Sequence, residues 1–101
     1  MADKRPAYVI AEVEVTDPAA FADYVAKAVP TLGPHDVQFL ARSKAHSKEG
    51  TAPVGEIVML KFESLEAAEN WYASPAYAAC IPLRQRAANT RLFIIEGEPP
   101  Q

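Results

Sequence analysis

The side chains best suited to chemistry in this sequence are a few charged residues set among apolar ones. Arg42 lies beside Leu40 in a stretch that alternates apolar and polar residues. A guanidinium there could hold a carboxylate bidentately, and that carboxylate belongs either to a ligand or to an acidic side chain such as Glu12. Glu12 could act as a general base if a substrate proton lies within its reach. Glu12 and Arg42 are therefore candidate catalytic residues, and a purely structural ion pair stays open.

A second group of candidates surrounds a serine–proline turn. Trp71, Tyr72 and Tyr77 flank Ser74-Pro75, and Arg84 follows shortly after Pro82. Aromatic side chains bury much area while keeping a polar edge available, so these three either pack in the core or form the walls of a ligand pocket. Arg84 is either solvated or lies at the mouth of that pocket. The expected ligand-binding residues are Arg42, Trp71, Tyr72, Tyr77 and Arg84.

The sequence contains no motif for nucleotide, zinc or dithiol chemistry. His35 and His46 are 11 residues apart, so a metal site would have to recruit carboxylates from elsewhere. The lone Cys80 stands among small apolar residues, which favours a buried hydrophobic side chain over a nucleophile. We therefore expect no metal and no cofactor.

Composition limits the class of protein. The 101 residues carry a net charge of −3, and 50% of them are hydrophobic while 23% are charged, which is typical of one folded domain. The absence of a basic cluster argues against nucleic acid and anionic membranes as partners. No apolar run approaches the roughly 20 residues of a membrane span, and residues 1–7 lack the apolar core of a signal peptide. We expect a cytoplasmic protein with an ordered core over 7–97 and a frayed tail over 98–101.

Residue patterns predict four strands and two helical regions. β-branched and alternating segments predict strands over 8–15, 37–44, 56–62 and 91–96, with residues 89 and 90 breaking the pattern before the last strand. Asp17-Pro18 and Ser64 are typical helix starts, and they predict helices over 18–29 and 65–73. A further helical region over 75–88 begins at Ser74-Pro75 and is divided by Pro82.

The order β-α-β-β-α-β is typical of a ferredoxin-like α+β fold with a four-stranded antiparallel sheet. Two helical regions cover only one face of such a sheet, yet both faces carry many apolar side chains, so a second copy should cover the other face in a homodimer. One face is almost wholly apolar, whereas the other also carries Glu12, Arg42 and Lys61. We expect the mixed face to look into a cleft under the helices, and the opposite assignment stays open.

Several blocks of the sequence resemble the family known as domain of unknown function 1330. The resemblance runs from about residue 8 to 97 and is carried above all by Trp71-Tyr-x-Ser-Pro-x-Tyr77, followed by Pro82-Leu-Arg84. It implies a dimeric α+β barrel and no assigned reaction. The wider superfamily includes cofactor-free monooxygenases, haem-degrading monooxygenases, isomerases and dehalogenase-like proteins. Haem-degrading relatives place a histidine on a helix beside the iron, and neither His35 nor His46 falls clearly on such a helix.

Three functions compete at this point. The first is a cofactor-free enzyme, monooxygenase- or isomerase-like, whose apolar or anionic substrate lies between sheet and helices. Arg42 would hold an anionic oxygen there and Glu12 would move a proton. The second is a non-catalytic module that binds a small ligand, and the third is a structural dimer with a dry core. A cavity that reaches both Arg42 and Glu12 would favour the enzyme.

Overall fold

The computed structural model of the chain describes residues 5–99. Its four strands form one antiparallel sheet in the order β2-β3-β1-β4, and all the helices pack on the same face. The strands are β1 (Ala7–Val15), β2 (Gln38–Lys44), β3 (Glu56–Phe62) and β4 (Ala88–Glu96); the helices are α1 (Pro18–Ala28), α2 (Leu65–Ala73), α3 (Pro75–Ala78) and α4 (Ile81–Ala87). The predicted ferredoxin-like α+β fold is confirmed. Residues 98 and 99 lie outside secondary structure, and residues 100–101 of the predicted tail lie outside the described residues.

Polar caps start the helices where the sequence predicts them. The Asp17 carboxylate accepts a hydrogen bond from the Ala20 amide at 3.1 Å, and the Ser64 hydroxyl accepts one from the Ala67 amide at 3.0 Å. These contacts satisfy amide groups that have no partner inside the helix. α1 ends at Ala28, and a short 3₁₀ helix (Val29–Leu32) carries the chain past Pro30. The proline therefore ends the regular helix, as expected from its missing N–H group.

The apolar face of the sheet lies under the helices, so the predicted assignment of the two faces is wrong. Ala7, Val9, Ala11 and Val13 alternate along β1, and each of them is buried. They join helix residues such as Trp71 in the core. Burying the wholly apolar face against amphipathic helices removes the most hydrocarbon from water, whereas the mixed face would have brought charges with it.

An irregularity in β2 overturns the predicted facing of that strand. Phe39 pairs with Leu60 and Ala41 pairs with Met59, so β2 contains one extra residue relative to β3 at this point. That residue is Leu40. Because facing alternates along a strand, one extra residue turns every later side chain to the other face. Arg42 consequently lies on the helix-covered face, although unbroken alternation predicts the opposite face.

The last strand begins earlier than predicted. Asn89 and Thr90 belong to β4 and pair with Glu14 and Val13 of β1. The low strand propensity of Asn89 is outweighed by pairing along the whole length of β1, and Thr90 is itself a strand-favouring residue. This places the Thr90 side chain on the helix-covered face, opposite Val13.

The face of the sheet that carries no helices, hereafter the open face, exposes large apolar side chains. Phe93 and Ile95 are each 47% exposed. Tyr8, Ile10 and Met59 are half-buried beside them in the same registers. An apolar area of this kind on a folded chain is typical of a surface that another molecule covers.

Candidate functional site

A cavity lies between the helices and the sheet. Its volume is about 120 Å³, it opens partly to solvent, and its walls are mainly apolar and aromatic. A cavity of about 150 Å³ with apolar walls is large enough for benzene. The space exists partly because Ala11, with its single methyl group, occupies the middle of the floor between Val58 and Leu92. A larger residue at that position would fill it.

One wall of the cavity is an aromatic pair fixed by a single serine. The Ser74 hydroxyl donates to the Trp71 carbonyl oxygen at 2.7 Å, which closes α2, and accepts from the Tyr77 amide at 3.3 Å, which starts α3. The two rings are thereby brought to 4.2 Å between centroids. The Trp71 indole N–H donates to the Thr31 hydroxyl at 3.0 Å. Trp71 and Tyr77 are therefore both core residues and pocket walls.

A buried cation, Arg84, lines the same cavity. Arg84 is only 8% exposed, and its Nη1 donates to the Tyr77 hydroxyl at 2.8 Å. Within residues 5–99 its Nε has no hydrogen-bond partner, and no carboxylate in that range forms an ion pair with it. Burial lowers the pKa of the guanidinium, but the hydroxyl groups of Tyr77 and Tyr72 outweigh burial and hold that pKa above its ordinary value. Arg84 is therefore a permanent positive charge in an apolar wall.

Two tyrosine hydroxyl groups extend from this cation. The Tyr24 and Tyr77 hydroxyl oxygens are 2.7 Å apart, and either can donate. Because the Tyr77 hydroxyl accepts a hydrogen bond from Arg84, its own O–H can donate to the Tyr24 oxygen. The Tyr24 O–H is then left to donate into the cavity. Burial, followed by the neighbouring Tyr77, raises the pKa of Tyr24 well above its ordinary value. Tyr24 thus stays a neutral hydrogen-bond donor.

The mouth of the cavity carries an exposed ion pair. Arg42 Nε lies 3.1 Å from Glu56 Oε1, and the two side chains are 56% and 41% exposed. The Arg42 guanidinium carbon also lies 5.9 Å from the centre of the Phe21 ring, within cation–π range. Glu56 is the one carboxylate of the described range that lines the cavity. The alternative that Arg42 pairs with an acidic side chain thus holds in the structure, but the partner is Glu56.

Glu12 does not reach the cavity, so the predicted single cleft containing both Glu12 and Arg42 is wrong. Glu12 lies on the open face, where Arg91 donates to its two carboxylate oxygens at 3.1 and 2.8 Å. Hydrogen bonding to Arg91 holds the pKa of Glu12 below its ordinary value, which weakens it as a base. The sheet itself separates it from Arg42.

Of the predicted ligand-binding residues, the cavity brings together Arg42, Trp71, Tyr77 and Arg84. Tyr72 is not part of the lining and instead packs against the Tyr77 ring, 5.6 Å between centroids. Sequence reasoning missed Thr90, which lines the cavity and has a buried hydroxyl with no partner in residues 5–99. The signal would be a polar residue at an inward-facing position of a strand. The sequence, however, predicts that the last strand begins at residue 91, which leaves Thr90 outside it.

Cys80 and His35 do not line the cavity. Cys80 is buried, and its Sγ lies 3.5 Å from the Ala76 carbonyl oxygen. The His35 ring packs against the Phe62 ring at 6.2 Å. Over the described range, no cluster of three or more histidine, cysteine or acidic side chains could hold a metal ion. No helix within that range is long and apolar enough to cross a membrane.

Comparisons with known proteins agree on the fold. The family model described as "Domain of unknown function (DUF1330)" matches residues 6–98. A protein of unknown function from Rhodopseudomonas palustris is 15% identical with a TM-score of 0.73, over 96% of this chain and 85% of that one. SnoaB, a cofactor-independent oxygenase from Streptomyces nogalater, is 11% identical with a TM-score of 0.59, over 96% and 95%.

A dimeric ferredoxin-like protein of unknown function from Thermobifida fusca is 11% identical with a TM-score of 0.60, over 92% of both chains. No protein with a curated description matches the sequence. At these identities the likeness to solved structures is a likeness of fold, and function has to be argued from the cavity itself.

Proposed function

This chain belongs to the DUF1330 family, and we propose that its cavity binds a small apolar molecule with an anionic oxygen and acts on it without a cofactor. The observation that carries the proposal is the buried Arg84 guanidinium in an apolar wall, with its Nε unpartnered among residues 5–99. Placing a cation there disfavours folding by several kcal/mol unless an anion accompanies it. A bound oxyanion supplies that counter-charge.

The proposed chemistry depends on the stabilisation of developing negative charge by a fixed cation. A preorganised donor in a site of low dielectric stabilises an enolate or phenolate far more than water does. Arg84 would hold the anionic oxygen, and Tyr24 would add a neutral donor beside it. An enolate held in this way either takes up a proton at carbon, which is isomerisation, or reacts with dioxygen, which is oxygenation. The fold shared with a cofactor-independent oxygenase supports this class of reaction.

Proton removal requires a base at the cavity, and Glu56 is the candidate. It lines the mouth, whereas Glu12 lies on the opposite face of the sheet. Arg42 would then position Glu56 through their 3.1 Å contact and attract anions to the mouth. This arrangement keeps Arg42 in the site and transfers the acid–base role from Glu12 to Glu56.

The binding step can be tested with a chromogenic phenol such as 4-nitrophenol, whose ionised form absorbs visible light. We expect the protein to shift the ionisation of the bound probe to lower pH, because Arg84 stabilises the phenolate. Arg84→Met should abolish the shift. Arg86→Met is the matched control, since Arg86 is exposed two residues further along α4. An unshifted probe, or equal shifts in both variants, would refute the proposal.

A non-catalytic binding module is the second candidate. It is favoured by the fact that Oε1 of Glu56 already accepts a hydrogen bond from Arg42, which leaves only Oε2 to accept a proton. A measurement of turnover distinguishes the enzyme from the binding module. Oxygen uptake and product analysis with phenols and enolisable ketones should show turnover that Glu56→Gln reduces by about 10²-fold or more if Glu56 is a general base. Binding that depends on Arg84, without turnover of any such compound, would favour the module.

The partner we propose is a second copy of this chain, bound through the open face. Phe93 and Ile95 are half-exposed there, and the likeness to a dimeric ferredoxin-like protein supports the arrangement. A two-fold interface of about 800 Å² per partner is ordinary for a stable dimer. Sedimentation of an 11.0 kDa monomer at micromolar concentration would refute it.

A further inference from the structure

Two buried side-chain polar atoms within residues 5–99 have no hydrogen-bond partner, Nε of Arg84 and Oγ1 of Thr90, and both residues line the one cavity described above. Buried polar groups are nearly always hydrogen-bonded, and each exception calls for an explanation. An occupant of the cavity that pairs with both atoms would provide one explanation for the two exceptions together.

The two groups belong to different walls. Thr90 lies on β4 in register with Val13, which in turn pairs with Glu56 on β3, so Thr90 and Glu56 stand in one row across the floor. Arg84 lies on α4 and reaches the cavity beside Tyr77. Apolar and aromatic side chains line the rest of the space. An occupant that meets both groups therefore has an apolar body with polar atoms at separate positions.

Packing does not require the Thr90 hydroxyl. Valine has the same shape and a high strand propensity, and it would fill this position without leaving a buried hydroxyl unpaired. An unpaired buried hydroxyl disfavours folding, because it gives up its hydrogen bonds to water and gains none in the protein. The hydroxyl is therefore better explained by what it binds than by what it fills.

The shape of the space limits the body of the occupant. The rings of Phe21, Tyr24, Trp71 and Tyr77 all line the cavity, and its volume is close to that of a site for benzene. Flat aromatic molecules stack well against such walls, either offset or edge to face. The cavity can take one ring of about this size, and because it opens partly to solvent, the bulk of a larger molecule would have to project through the mouth.

We propose that the occupant is a small hydroxylated aromatic anion, with its anionic oxygen on Arg84 and a second oxygen on Thr90. This deepens the proposed function and rests on it, because Arg84 must first hold the anion. Hydroxybenzoates are the simplest members of this class. The position of the ring hydroxyl selects among them, since only one separation of the two oxygens matches the two walls.

The test measures the affinities of benzoate, 3-hydroxybenzoate and 4-hydroxybenzoate by titration calorimetry. For the unaltered protein, one hydroxybenzoate should bind about five- to tenfold more tightly than benzoate, as expected for one neutral hydrogen bond. In Thr90→Val the ratio of the hydroxybenzoate affinity to the benzoate affinity should fall to about one. Thr90→Ser keeps the hydroxyl and should keep the advantage, which separates a lost contact from a disturbed strand.

Failure of this inference is distinguishable from failure of the proposed function. Arg84→Met should weaken all three compounds by about 10- to 100-fold, because it removes charge-assisted hydrogen bonds. If that loss is seen but the three compounds bind equally to the unaltered protein, or the advantage survives in Thr90→Val, only the role of Thr90 is refuted. If none of the three binds, or Arg84→Met binds them unchanged, the proposed function is refuted as well.

Discussion

Replacing Arg84 by methionine should make the empty protein more stable while abolishing ligand binding. The change removes the 2.8 Å hydrogen bond to the Tyr77 hydroxyl, a charge-assisted contact that contributes about 1.5–3 kcal/mol, together with the interaction of the guanidinium with the Tyr72 hydroxyl. It leaves no new unpaired group at Tyr77, because the Tyr24 hydroxyl remains 2.7 Å away. The stability that the protein loses with these contacts of Arg84 is therefore limited.

The gain comes from no longer burying an unpaired cation. Arg84 is 8% exposed, and transfer of such an ion from water disfavours folding by several kcal/mol. Methionine is of similar length, carries no charge and adapts to irregular space, so the replacement removes this penalty. A desolvation penalty of about 3–4 kcal/mol, less a lost contact of about 2–3 kcal/mol, leaves a rise of about 1 kcal/mol in the free energy of unfolding.

Urea unfolding at one fixed protein concentration checks this result, since a dimer would make the midpoint depend on concentration. A rise of about 1 kcal/mol corresponds to a midpoint roughly 0.5–1 M higher and a melting temperature about 4–8 °C higher for a domain of this size. Arg86→Met should change the free energy of unfolding by less than about 0.5 kcal/mol, because Arg86 is exposed. Destabilisation by Arg84→Met of about 2 kcal/mol or more would mean that Arg84 is structural, and the argument for an anionic occupant would lose its basis.

Four further substitutions test the fold, its electrostatics and the proposed interface. Gly55→Ala should destabilise the fold by about 3 kcal/mol or more, because φ is +80° there and a Cβ would clash with the Val13 carbonyl oxygen. Gly50→Ala, at φ +75° with open space around it, should destabilise the fold by only about 1 kcal/mol in the same urea titration. The raised pKa of Tyr24 favours the folded state fully below about pH 10 and loses that contribution as pH rises further, since the unfolded tyrosine then ionises first. Tyr24→Phe should therefore flatten the fall of stability above about pH 10, and an identical slope in both proteins would contradict the assignment. Phe93→Glu should yield a folded monomer by sedimentation and circular dichroism, and an intact dimer would place the interface elsewhere.

Much of the fold could be predicted because local signals and tertiary contacts agree. Asp17, Ser64 and Ser74 each cap the helix that their position predicts, and the apolar alternation of β1 marks a strand with one buried face. The order of the elements then leaves few topologies. Which face the helices cover is harder to predict, because charged residues on one face favour a cleft, whereas the structure pairs Glu12 with Arg91 on the neighbouring strand.

The site was predicted only in part, because its geometry depends on one residue of register. Arg42 enters the cavity wall through the extra residue at Leu40, and no local pattern marks that irregularity. Thr90 faces inward because β4 follows β1 to its end, which is a tertiary effect. Arg84 was singled out by its neighbourhood, but sequence offers no means of seeing that a guanidinium on a short helix is buried without an acidic partner.

The extra residue in β2 has a second consequence, since β2 is an outer strand of the sheet. Outer strands offer a row of free amide and carbonyl groups on which the strand of another molecule can add, and that is how fibres begin. A break in regular spacing at Leu40 bends this row and interrupts it, so an incoming strand cannot match it along its length. Deleting Leu40 should therefore turn the Arg42 side chain to the open face. It should also leave a regular edge strand that is more prone to aggregation.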